Sequence, residues 1–557
     1  ALVAQAEAVA VGLYPDQIVE EQAEELFTQL VYLTGLKSEV IQGMYANFPV
    51  GAGWYLPLGE VSSDKVGRRY SAISGLSGLV LNYYKSRFYF DSGIAPHVVG
   101  YVSAIQPDEV DSFRRKGYQQ DERVGRSGLE KWGEPYLAGK RGGALYVLNA
   151  QGQPVHLLAE SAAEPSQAIY TTLDRDFQQA AQQAIMGFRG AIVALERDTG
   201  RVVAMVSSPG FDPNAFEPAN FNSYTLLSNL NNNPDQPLYN RASQGLYPLG
   251  SVFKIITMAA ALESARYTPD TPYECGYLFE ELPGVILNDW TYDHFQKDGK
   301  TIPSGLLTLT GGLVRSCNPF FWHIGLDLYN QGLTHNIPNM ARGFGLGALT
   351  GIQGVEEEAG QVPDPTNPLD ATNLAIGQGD LLVTPLQVAS FVAAVGNGGV
   401  LYRPQVVERI APPDGEPSFT FSPETRGTLP VKAETLKAIQ EAMVGVVESA
   451  KPRGTAVHVF VGLNVPVAGK TGTATSGSGL PHAWFAGYTF AGRQDKPDIA
   501  IAVIVENVGE GSDYAAPIFR RLVELYFRGS PGKLYPWESS YYVTRTPFVE
   551  TTETPAP

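Results

Sequence analysis

"NRASQGLYPLGSVFKIITMAAALESA", Asn240 to Ala265, places Lys254 three positions after Ser251 in a run of isoleucine, methionine, alanine and leucine. Residues at i and i+3 share a helical face, so a hydroxyl and an amine meet there, and Gly250 removes a side chain where a substrate approaches. A helix apolar on nearly all sides is normally a buried one. Burial disfavours the ammonium form, so Lys254 is expected to lose its proton near neutrality and to accept that of Ser251. The competing expectation is a lysine at the helix edge that snorkels to water. The same spacing recurs at Ser62–Lys65 and Ser530–Lys533, both read as surface turns, so the pattern needs company before it means anything.

That company lies far downstream. "LVRSCNPFFWHIG" holds Ser316-Cys317-Asn318, a hydroxyl and an amide two residues apart that can relay a proton and hold a substrate amide. The same three residues also suit a helix N-cap or an Asx turn. "VAGKTGTAT" puts Lys470, Thr471, Gly472 and Thr473 on a candidate strand. There Gly472 lets an extended substrate approach, and Lys470 with the two hydroxyls suits a substrate carboxylate. A backbone N–H from this edge, with that of Ser251, forms an oxyanion hole. S-x-x-K, S-x-N and K-T-G in that order make a serine acyl-transferase set, and Lys470 would bring a second cation near Lys254.

The 557 residues are 44% hydrophobic and 17% charged, enough for a large core and two or more domains. A formal net charge of −17 repels a phosphate backbone, which argues against nucleic acid as a partner. The seven histidines lack metal-ligand spacing, so chemistry without metal or other cofactor is expected. Cys275 and Cys317 form no cysteine framework; a packing role beside the site is preferred for Cys317, with a bond between the two left open. No apolar run approaches the roughly 20 residues needed to span a bilayer.

Near the start, Ile18, Gln22, Leu26, Leu30 and Leu33 fall on one helical face that stops at Gly35. Short apolar pieces broken by glycine then suggest hairpins. "IYTTLDRDFQQAAQQAI" reads as a strand and a helix, and Asp198-Thr199-Gly200 joins two strand-like runs. "VPVAGKTGTAT", "HAWFAGYTFA" and "DIAIAVIVEN" add three more. The expected fold is α+β: a five-stranded antiparallel sheet with helices on both faces, behind an extended mixed pedestal. The expected division is residues 1–167, 168–530 and a tail 531–557, whose end "TRTPFVETTETPAP" reads as disordered.

On these motifs the sequence resembles the class B penicillin-binding proteins, monofunctional peptidoglycan D,D-transpeptidases. "AIGQGDLLVTPLQVASFVAAVGNGG", "HAWFAGY" and "AAPIFRRLVELYF" look like that family's transpeptidase domain, and "GRSGLEKWGEPYLAGKRGG" looks like its N-terminal pedestal. Leu249 and Val252 depart from its usual Pro and Thr without removing a catalytic group. The resemblance implies that Ser251 attacks the D-Ala-D-Ala carbonyl of a stem peptide with Lys254 as base. Ser316 would pass the proton to the leaving D-Ala, and Asn318 would hold the donor amide. Lys470, Thr471 and Thr473 would hold the terminal carboxylate. It further implies acylation by β-lactams, a partner polymerase of the SEDS type, and an extracytoplasmic address through a membrane anchor preceding Ala1. The alternatives are a D,D-carboxypeptidase, a β-lactamase or β-lactam sensor, and a non-catalytic scaffold.

Overall fold

Val3–Leu13 (β1) is the central strand of a three-stranded antiparallel sheet, between Leu56–Ser62 (β2) and Leu79–Tyr89 (β3), in the computed structural model, which describes residues 1–48, 53–477 and 479–538. Val9, Val11 and Leu13 pack on Leu26, Leu30 and Leu33 of helix Ala23–Thr34 (α1), while Ala8 and Ala10 meet Tyr84 and Phe88 on the other face. Adjacent side chains thus serve separate cores, and those two apart share one. α1 starts later than expected: Pro15–Gln17 and Glu20–Gln22 form 3-10 turns with Val19 extended between them, so Ile18 and Gln22 precede the helix. Gly35, left-handed at φ 73°, ends it as expected. Farther on, Gly143–Leu148 and Pro154–Ser161 pair as a hairpin with every residue exposed.

The larger sheet consists of Gly190–Glu196 (β4), Val202–Ser208 (β5), Val467–Ala474 (β6), His482–Thr489 (β7) and Ile499–Val505 (β8), antiparallel throughout in the order β5-β4-β8-β7-β6. Two strands come from one end of the sequence and three from the other. Of helices Arg175–Ala184 (α2), Lys254–Glu263 (α3), Asn318–Asn330 (α4), Pro385–Gly396 (α5), Ala433–Glu448 (α6) and Ala515–Arg528 (α7), α2, α5, α6 and α7 pack on it, and α3 and α4 extend the core beyond α5 and α6. Val193, Leu195, Ala502 and Ile504 face the core built with α3 to α6, whereas Ile192, Ala194, Ile501 and Val503 face α2 and α7. The fold is therefore α+β, with a sheet sealed on both faces. The Ala168–Thr171 strand joins Val407–Ala411 instead of the large sheet. The K-T-G strand, β6, is an edge strand, which leaves its outer side to the cleft described next. Among the described residues no helix is long and apolar enough to cross a membrane. Residues 539–557, including the segment read as disordered, lie outside the described residues.

Candidate active site

Gly250–Phe253 forms a 3-10 turn that runs directly into α3, so Ser251 stands at the mouth of the helix with Lys254 one turn inside. The turn is seated on β6. A Cβ on Gly250, left-handed at φ 57°, would lie 2.6 Å from Thr473 O, and one on Gly472 would lie 2.9 Å from Trp484 Cβ and 3.0 Å from Leu249 O. The space freed by these glycines is thus taken by the protein itself, not left for substrate, and it brings the serine turn onto the K-T-G strand. Gly377 in the "AIGQGD" stretch braces the turn from another side, its O accepting from Gly250 N at 2.9 Å. Leu249 and Val252 are fully buried beneath.

Lys254 is fully buried, which removes the snorkelling alternative. Its Nζ donates to Asn318 Oδ1 at 2.5 Å, to Ser316 O at 2.8 Å and to Ser316 Oγ at 3.4 Å. Burial pulls its pKa down to about 7, against the opposing pull of Asp289. Among the described residues its hydrogen bonds run to the S-x-N segment and none joins it to Ser251. The lysine is held beside the serine by a third element.

That element begins where the short helix Leu309–Arg315 ends at Ser316, which is left-handed (φ 59°, ψ 36°), an uncommon conformation for a residue with a side chain. Cys317 caps α4, its Sγ accepting from Phe320 N at 3.3 Å, so the capping reading holds. The packing role preferred for Cys317 is corrected: it is bonded to Cys275, with Cα atoms 6.3 Å apart, inside the span a disulfide bridges. Asn318 N donates to Asp289 Oδ1 at 2.9 Å, and the buried Asp289 is held by Thr291 Oγ1 at 2.6 Å.

Lys470 is also fully buried and donates to Ser316 Oγ at 2.8 Å and to Thr471 O at 3.1 Å. Burial, reinforced by the charge of Lys254, pushes its pKa well below the usual lysine range. Ser316 Oγ therefore sits between two amines. Thr471 Oγ1 shares a hydrogen bond with Thr455 Oγ1 at 2.7 Å, and Thr473 Oγ1 donates to Glu510 Oε2 at 2.7 Å. Ser251, Ser316, Asn318, Thr471 and Thr473 line one cavity of about 820 Å³, and both lysines stand behind that wall. A hydroxyl, two amines with lowered pKa values and a donor-rich strand edge can acylate a serine and protonate a leaving amine.

Three neighbours escaped the sequence. Asp289, which fixes Asn318, looks like an ordinary N-cap before helix Trp290–Asp298. Thr455 and Glu510 carry no local signal, because their contacts to Thr471 and Thr473 are made only by folding.

Residues 190–524 match the family model of the penicillin binding protein transpeptidase domain, and residues 1–171 match that of the penicillin-binding protein dimerisation domain. The peptidoglycan D,D-transpeptidase MrdA of Acinetobacter baumannii is 31% identical over 478 residues, covering 79% of this chain and 66% of that protein. A chain in a peptidoglycan synthase complex that coordinates polymerization and crosslinking is 28% identical, with a TM-score of 0.69 over 96% of this chain and 89% of that one. Penicillin-binding protein A of Mycobacterium tuberculosis, solved as a ceftriaxone acyl-enzyme, is 28% identical with a TM-score of 0.63 over 80% of this chain and 93% of that one. With the transpeptidase model matched over residues 190–524 and the dimerisation model over residues 1–171, the chain belongs to the class B penicillin-binding proteins, with a serine-type D,D-transpeptidase domain.

Proposed function

We propose that Ser251 is the residue acylated, first by the penultimate D-Ala carbonyl of a peptidoglycan stem peptide and equally by β-lactams. Lys254, uncharged near neutrality, takes the serine proton as Oγ attacks; Ser316 delivers a proton to the amine of the departing D-Ala. Asn318 holds the donor amide, and Lys470, Thr471 and Thr473 hold its terminal carboxylate. The backbone N–H groups of Ser251 and Thr473 receive the oxyanion. An acceptor amine from a second stem then attacks the acyl-enzyme and leaves a crosslink. The observation that carries this reading is Ser316 Oγ, 2.8 Å from Lys470 Nζ and 3.4 Å from Lys254 Nζ, on a wall shared with Ser251.

We further propose that residues 1–167 form the pedestal, 168–530 the catalytic domain and 531–557 a tail. The relative found in a peptidoglycan synthase complex supports a cell-wall polymerase of the SEDS type as partner, and the substrate supports an extracytoplasmic address at the membrane. Intact-mass measurement after penicillin treatment tests the acylation step: one adduct is expected, mapping to the Ser251 peptide and absent in Ser251→Ala. An adduct that survives that substitution overturns the reading. Rapid loss of the adduct as hydrolysed antibiotic would instead indicate a β-lactamase, and D-Ala release unaffected by added amine acceptors a carboxypeptidase.

A further inference from the structure

Away from the cleft, the N-terminal sheet meets the catalytic domain across a buried polar seam. On one side are Tyr55 and β2; on the other is the segment after β5, from Asp212 to Asn222. Asn222 Nδ2 donates to Glu60 Oε1 at 2.7 Å and to Gly59 O at 3.0 Å, and its Oδ1 accepts from Tyr55 Oη at 2.7 Å. Asn214 exchanges hydrogen bonds with the backbone of Tyr89 at 2.8 and 3.0 Å. In the middle lie two carboxyls, Glu60 and Asp212, close enough to form a hydrogen bond once one of them carries a proton. Asp212 Oδ1 is served by Asn214 N and Nδ2 at 2.9 and 2.8 Å. Glu60 Oε2, by contrast, is buried and meets no donor among the described residues.

A buried carboxylate oxygen without a donor costs free energy, and a second carboxylate against it raises that cost. One proton between them removes both penalties at once. The other groups that face the pair supply no positive charge. Tyr55 and Tyr84 are phenols that burial keeps neutral, Asn214, Asn220, Asn222 and Ser92 are uncharged, and Glu217 is engaged by Arg123 at 2.7 Å. Burial first, and then Asp212, push the Glu60 carboxyl up to about 8.

We propose that Glu60 and Asp212 share one proton that clasps the N-terminal sheet to the catalytic domain, and that loss of this proton in alkaline conditions loosens the seam. A carboxyl whose folded pKa exceeds its unfolded value of roughly 4.3 contributes stability that is present below that value and is lost as pH rises through the folded pKa.

Calorimetric melting of the full chain is expected to show the melting temperature falling by a few degrees between about pH 6 and about pH 9. In Glu60→Gln, whose amide is a permanent donor to Asp212, that decline should be lost, and penicillin labelling verifies that the variant is folded. An unchanged pH dependence in this variant overturns the proposal. Should the variant not fold, infrared spectroscopy of the wild type decides. A protonated carboxylic acid band at pH 7 that disappears towards pH 9 supports the shared proton, and its absence at pH 7 overturns it. Destabilisation of the wild type by a chelator at pH 7 also overturns it, since a metal ion would then hold the pair.

Discussion

Ser251-Val252-Phe253-Lys254 and Ser530-Pro531-Gly532-Lys533 have one spacing and opposite fates. The first lysine is fully buried in α3, pulled down to about 7 and held by Asn318 and Ser316. The second is exposed on a turn after α7, among glycine and proline, with no helix to align it with its serine. The three-residue spacing is only geometry; the chemistry comes from the apolar helix that dehydrates the amine and from the remote segments that meet it.

The contrast is broken most severely by replacing the lysines themselves. Lys254→Ala should slow penicillin acylation by roughly 10²- to 10⁴-fold, the usual worth of a positioned general base, while Lys533→Ala should acylate as the wild type does in a stopped-flow assay. Equal loss in both variants would erase the distinction. A second test uses pH. Because Lys254 acts as the uncharged amine and its pKa is drawn to about 7, acylation should fall roughly tenfold per unit as pH drops below 7. A flat profile between pH 5 and 8 would remove Lys254 as the base.

Smaller effects sharpen the comparison by testing the neighbours that hold Lys254. Asp289→Asn weakens the carboxylate that receives Asn318 N, so acylation should slow by about tenfold, the equivalent of one charge-assisted hydrogen bond, with the fold retained by circular dichroism. Cys317→Ser should lower stability by about 2–4 kcal/mol in denaturant unfolding. Smallest of all, Lys533→Ala should change stability by less than about 0.5 kcal/mol, as exposed substitutions do.

Legibility in the sequence followed the range of the interaction. The five strands of the large sheet, their antiparallel arrangement and the Asp198-Thr199-Gly200 turn were readable, because local apolar runs and turn residues dictate them. The convergence of Ser251, Ser316, Asn318, Thr471 and Thr473 on one cavity was anticipated from motif order alone. What was missed depends on contacts between distant positions. Gly250 and Gly472 read from sequence as room for substrate, yet the atoms that crowd them belong to Thr473, Leu249 and Trp484. β1 is not legible, because the run through Val3–Leu13 mixes alanine, glutamine and glutamate, a composition that suits a helix as readily as a strand. The Glu510 bond to Thr473 and the Cys275 bond to Cys317 span 37 and 42 positions, beyond any periodic signal.

The disulfide lies inside the S-x-N motif, and this links catalysis to surroundings. Cys317 is the link between the residue set between two amines and the residue that anchors Lys254, so covalent tethering to Cys275 stiffens one wall of the reaction chamber. Thiol-reducing compartments do not sustain such bonds. In an oxidising milieu the chamber wall is therefore held covalently, and in a thiol-reducing one it would rest on packing and hydrogen bonds alone.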